Sequence, residues 1–152
     1  MLDCESLLAT PQIVDKDWLS LAAEQGSLQA GVLYAVSPEQ VVGDEAAALA
    51  SPAKAEIWRT RAASYLWRAA SLGNAEALIT LADGHLDGIP VVRDPVKAYA
   101  FYRAWARLSP EFAAPVFEEH YGGKLTAGQK QDALARSREI YRGCCDTSGA
   151  GS

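Results

Sequence analysis

The sequence predicts an all-α fold built from stacked helical hairpins. Three observations carry that expectation. Alanine is abundant, and only Val41-Val42 and Val91-Val92 hint at extended chain, both next to Gly or Pro; such a composition favours closely packed helices. Apolar residues recur at helical spacing, most clearly Trp58, Ala62, Tyr65, Leu66, Ala69 and Leu72. A glycine followed by a capping residue closes one helix and opens another at Gly26-Ser27, and again at Gly73-Asn74.

The elements follow in order. Residues 1–10 predict a short helix that ends at Pro11. Asp15–Gln25 predicts a helix with Trp18, Leu21 and Ala22 facing inward. Gly26-Ser27 turns it directly into a second helix, Leu28 to Val36, as an antiparallel hairpin. Residues 37–53 read as an elaborated connection broken by Pro38, Gly43 and Pro52, with Asp44 capping a short Ala-rich helix. A long helix runs from Ala53 to about Leu72. After Gly73-Asn74, a helix from Ala75 to Asp87 places Leu78, Leu81, Ala82 and His85 on one side, and Gly88 stops it. Asp94-Pro95 caps and opens the next helix, whose stripe is Ala98, Phe101, Tyr102, Trp105 and Leu108. Ser109-Pro110 opens a further helix that Pro115 kinks or shortens, and Gly122-Gly123 ends it. Thr126 and Gln129 have capping-box spacing. The last helix reaches about Arg142, with Leu134, Ser137, Ile140 and Tyr141 inward, and Gly143 stops it. One domain is expected over residues 1–143, with 144–152 as a mobile tail.

Length and charge narrow the function. A chain of 152 residues suits one domain, and 49% hydrophobic with 22% charged residues is globular composition. A net charge of −5 disfavours nucleic-acid binding, which needs a basic face. No apolar run approaches a membrane span. The start, MLDCESLLATPQ, lacks the basic and apolar regions of a signal peptide, so the chain reads as cytoplasmic as written. A chain left after removal of a signal peptide would read the same and be periplasmic. Cys4, Cys144 and Cys145 lie at the chain ends without metal-ligand spacing. They are read as free tail thiols or, in an oxidising compartment, as a bridge from Cys4 to the C-terminal pair.

The chain also matches itself. Trp18–Ala35 aligns with Tyr65–Ala82 at a shift of 47 residues, placing Ala22 on Ala69, Ala23 on Ala70, Gly26 on Gly73 and Ala30 on Ala77. Lys97–Leu108 aligns at a shift of 35, placing Ala98 on Ala63, Arg103 on Arg68 and Ala104 on Ala69. Each hairpin alone leaves an apolar face that only a stacked neighbour can cover. Ala69-Ala70, Gly73, Ala77, Leu81, Gly88, Val91, Asp94, Lys97 and Ala98 fall in the register of a known pattern. In this the chain resembles the Sel-one-like repeats, relatives of the tetratricopeptide repeat. It departs from them at Ala82, His85 and Pro90, where the family favours Gly, an aromatic and Gly. The resemblance covers about 45 residues specifically, and residues 18–35 in degenerate form. It implies a right-handed α/α superhelical solenoid of two to three hairpins with a C-terminal capping helix. It also implies protein or peptide binding on the concave face, which first helices line, as in bacterial adaptors, envelope proteins and immunity proteins.

Candidate sites are few. Asp83, His85, Asp87, Gly88 and Asp94 have EF-hand-like spacing, but His and Asp at the third and twelfth positions suit calcium poorly. The repeat already assigns Gly88 to a helix stop, Asp94 to an N-cap and His85 to a packed ring. His85 and His120 lie on different elements, and no nucleophile elbow or phosphate loop accompanies them. No catalytic residue, metal or cofactor is therefore expected. Trp18, Trp58 and Trp105 read as core, whereas Trp67 lies off its stripe and is read as packing on a neighbouring hairpin or anchoring a partner. Arg61 and Arg68, with Arg103 and Arg107 on the next first helix, would align into a basic ridge if hairpins stack. Such a ridge is either solvated and paired with local acids such as Glu56, or it receives an acidic segment of a protein partner together with Tyr99 and Trp67. The expected function is a non-enzymatic protein-interaction module, an adaptor or a toxin-immunity protein; the alternative is an exported envelope structural or assembly factor.

Overall fold

Helices make up most of residues 18–146, which the computed structural model describes, and no strand occurs among them. The expected helix over residues 1–10, Cys4 and the stretch 147–152 lie outside the described residues. The elements are α1 (Trp18–Glu24), α2 (Leu28–Val36), the short α3 (Glu39–Val42) and α4 (Glu45–Ala50), the long α5 (Pro52–Ser71), α6 (Ala75–Asp87), α7 (Pro95–Leu108), α8 (Pro115–Gly122) and α9 (Ala127–Cys144).

The α1–α2 and α5–α6 turns are the same structure. Gly26 (φ 107°) and Gly73 (φ 82°) both take the left-handed conformation that side chains resist. The amides of Gly26 and Ser27 donate to Ala23 and Ala22 at 3.0 Å, and those of Gly73 and Asn74 donate to Ala70 and Ala69 at 3.0 Å. This satisfies the last carbonyls of each first helix. The second helices open alike: Ser27 Oγ accepts from the Ala30 amide at 3.2 Å, and Asn74 Oδ1 from the Ala77 amide at 2.9 Å. The internal repeat thus extends to individual hydrogen bonds. Asp44 caps α4 by accepting from Ala47, and Thr126 with Gln129 closes a capping box on α9, as their spacing predicts.

Packing runs sequentially. α1 packs on α2, α2 on α5, α5 on α6, α6 on α7, and α7 on α9. The core is one cluster that includes the fully buried Tyr34, Leu66, Leu78 and Leu81. Polar contacts join the first hairpin to the second. Trp58 Nε1 donates to Tyr34 O at 3.0 Å, Arg68 Nη1 donates to Ala23 O at 3.2 Å, and the hydroxyls of Ser20 and Tyr65 lie 2.7 Å apart.

Some stripes differ from expectation. In α1 the buried residues are Ser20 and Ala23, while Trp18 is 56% exposed, because the helix turns its hydroxyl-bearing face to Tyr65. Leu72 is 63% exposed, since α5 ends at Ser71 and Leu72 already belongs to the cap. No helix opens at Ser109-Pro110: residues 109–114 form a turn, and Pro115 takes the first-turn position of α8, where a missing N–H costs nothing. α9 passes through Gly143 to Cys144. Cys144 and Cys145 then pack against the core instead of starting a tail.

The contrast between two leucines checks this packing. Leu81→Ala is expected to cost about 2–5 kcal/mol, and Leu72→Ala less than about 0.5 kcal/mol, both read from urea unfolding midpoints.

Candidate functional site

α7 is gripped on two sides, by α6 and by α9, so Ala98, Tyr99, Ala100, Phe101, Tyr102 and Ala104 are all buried. The exposed polar residues of α7 are Arg103 and Arg107. They line a cleft of about 490 Å³ with Tyr102, Ala106, Ala113, Leu134, Ser137 and Arg138. Three arginines therefore line one concavity of a chain whose net charge is −5.

The three are held differently. Arg103 Nη1 is 3.1 Å from Glu118 Oε2 of α8. The Tyr99 hydroxyl donates to the other oxygen of the same carboxylate. Burial pushes Tyr99 up to about 12, and Glu118 pushes it the same way, so it remains a neutral donor. Arg107 lies 4.0 Å above the Tyr141 ring, a cation–π contact. Arg138 forms no ion pair among the described residues. Planar guanidinium forks of this kind match carboxylates bidentately.

The candidate residues are only partly brought together. Arg103 and Arg107 share the cleft, and Arg138 joins them from α9. No helical pattern links Arg138 to α7, so its part could not be read from spacing. Arg68 lies elsewhere, bound to the Ala23 carbonyl beside the Gly26 turn. Arg61 is exposed on α5. Tyr99 is not a surface residue: it is 3% exposed, because α8 closes over it and Gly122 leaves it room.

Trp67 packs on the neighbouring elements and also shows a face to solvent. Its ring lies edge-on to Phe101 at 5.2 Å and to His85 at 6.1 Å, yet it is 43% exposed. It lines a second, largely apolar cleft of about 220 Å³ with Ala70, Phe101, Ile140 and Cys144. Cys144 is disulfide-bonded to Cys145, so the pairing within the described residues is between neighbours.

Four of the five residues of EF-hand-like spacing have a structural task. Gly88 is the left-handed cap of α6, Asp94 accepts from the Lys97 amide, and Asp83 accepts from the Tyr121 hydroxyl. His85 is 3% exposed and stacks on Phe101 with centroids 5.6 Å apart. Its Nδ1 lies 2.9 Å from the Val92 carbonyl, which can only accept, so Nδ1 carries the proton. Nε2 has no hydrogen-bond partner among the described residues. Burial lowers the His85 pKa, against the smaller opposing pull of the Val92 carbonyl.

Comparison of the chain with protein-family models, with curated proteins and with solved structures finds no match.

A depressed histidine pKa favours the folded state above the ordinary value of about 6.5. As pH falls below that value the unfolded chain takes up the proton first, so stability declines until the folded-state pKa is passed. Urea midpoints from pH 7.5 to 5 are expected to fall, and to fall less in His85→Phe. An equal slope in both proteins would remove His85 as the cause.

Proposed function

We propose that this chain is a non-enzymatic interaction module that receives an acidic segment of a protein partner between α7 and α9. One observation carries the reading: Arg103, Arg107 and Arg138 line a single cleft, and two of them, Arg107 and Arg138, have no acid partner among the described residues. An isolated surface arginine is ordinarily solvated. Three around one concavity of a net acidic chain form a local anion site with a preferred ligand geometry.

The proposed architecture is a short right-handed α/α superhelix of Sel-one-like type, with α1–α2 and α5–α6 as hairpins, α7 as the next first helix and α9 as the cap. The matching glycine turns 47 residues apart and the sequential packing support it. In such a superhelix α7 faces the concave side, where an adaptor or an immunity protein would hold its partner.

A second reading, an exported envelope factor, is favoured by the Cys144–Cys145 disulfide, since such bonds persist mainly in oxidising compartments. Alkylating thiols before cell lysis tests it. Complete labelling of both cysteines would remove the exported reading.

For the main reading, the probe is a fluorescein-labelled peptide of about twelve residues, alternating glutamate and serine. Anisotropy is expected to report binding that weakens as salt rises. Arg107→Glu with Arg138→Glu should reduce the affinity on the order of tenfold or more. Arg93→Glu, an exposed loop residue between α6 and α7, should change it little. Equal affinity in all three proteins would remove the cleft from the interface.

A further inference from the structure

Beside the arginine cleft the chain leaves large apolar side chains in water. Phe112 is 67% exposed, Val116 66% and Phe117 36%. All three belong to the turn after α7 and the first turn of α8. Ala113, between Phe112 and Val116 in the chain, is itself a wall of the cleft. Phe117 stands edge-on to Trp105 of α7 at 5.9 Å, and its neighbour Glu118 holds Arg103 at 3.1 Å. Phe112 and Val116 thus lie one and three residues in sequence from a wall of the cleft, and Phe117 precedes the residue that holds Arg103. Contiguous exposed apolar side chains rimmed by polar groups mark interaction sites, and aromatic residues with arginine dominate binding energy.

We infer that the partner segment is amphipathic: carboxylates enter the cleft while an aliphatic or aromatic side chain next to them lies on Phe112 and Val116. This rests on the arginine-cleft reading and adds a requirement to it. Charge complementarity selects a segment that is acidic as well as apolar. A concave seat between two helices suits a peptide better than a flat lipid surface, and the net charge of −5 opposes approach to an anionic bilayer.

The test compares two labelled peptides of equal charge and length, one alternating glutamate with serine and one in which the serines are leucines. The leucine peptide is expected to bind the wild-type chain about tenfold more tightly. Phe112→Ser with Val116→Ser should abolish that advantage while leaving the serine peptide's affinity unchanged. Both residues are exposed, so the fold should survive, as circular dichroism would verify. Arg107→Glu with Arg138→Glu should weaken both peptides. An advantage that persists in the Phe112/Val116 variant would overturn the inference while leaving the cleft reading intact. Insensitivity of both peptides to the arginine variant would instead overturn the cleft reading. Two further outcomes would overturn the inference by naming another occupant. One is wild-type sedimentation with phosphatidylserine vesicles that the Phe112/Val116 variant loses. The other is concentration-dependent dimerisation that the same variant loses.

Discussion

Close approach of helices over alanine is the constraint on which the rest of this structure depends. Ala62, Ala69, Ala77, Ala82, Ala98 and Ala100 are all 0% exposed, and they lie on α5, α6 and α7. Small side chains at the contact bring helix axes toward the near end of their usual spacing. An alanine buries little area by itself, so such a contact gains little unless larger neighbours interlock around it. Leu66, Leu78, Leu81 and Phe101 supply that interlock. Each hairpin contributes only part of the set, so the hairpins are stable together and weak apart. The glycine turns serve the same end, because a three-residue connection of fixed geometry starts each second helix against its first.

The same economy positions the cleft. Tyr99 and Arg103 stand four residues apart on α7, hence on one face, and both take hold of the Glu118 carboxylate. Tyr121, stacked on Tyr102 at 4.8 Å, donates to Asp83 of α6. Burial raises the pKa of Tyr99 and of Tyr121, and the acids each one serves raise it further. Both phenols therefore stay protonated and both carboxylates keep a donor. α8 is pinned at two points by these bonds, and the Gly122 position, where a Cβ would sit 2.7 Å from Tyr99 Cε2, lets it close. The apolar start of α8 is held beside the arginines as a result. A chain of hydrogen bonds from the core thus sets the geometry of a surface.

Local signals were legible in the sequence and through-space ones were not. The hairpin turns, the caps at Ser27, Asp44, Asn74, Asp94 and Thr126, and the inward face of α6 all follow from residue types at short spacing. A helix buried on one side leaves a one-sided stripe, and α6 has one. α7 lies between two neighbours, so its buried set runs almost around the helix and hides Tyr99, which the sequence reading offers as a partner contact beside the arginines. At helix ends the stripe overruns its partner, as Trp18 and Leu72 show. The start of α8 depended on choosing between two prolines, and only Pro115 occupies a first-turn position. Arg138 belongs to the cleft because α9 packs on α7, a contact far apart in sequence. The Cys144–Cys145 bond joins sequence neighbours, whereas the sequence reading weighs only free thiols or a bridge from Cys4 to that pair.

Arg68 and Arg103 align in the internal repeat and yet reach in different directions. Arg68 reaches back to the Ala23 carbonyl at the end of α1, where a cation complements the partial negative charge of a helix C-terminus. Arg103 reaches forward to Glu118 of α8. The first arginine joins hairpins; the second joins a helix to the element that flanks the cleft. A ridge of evenly spaced arginines would present flexible side chains, each losing rotamer freedom on binding. In the cleft, Glu118 restrains Arg103 and the Tyr141 ring restrains Arg107. Part of the ordering cost is then met within the fold, and Arg138 keeps its guanidinium free of an acid among the described residues. Two arginines at equivalent positions of the internal alignment thus make different contacts: Arg68 ties α5 to α1, and Arg103 ties α7 to α8.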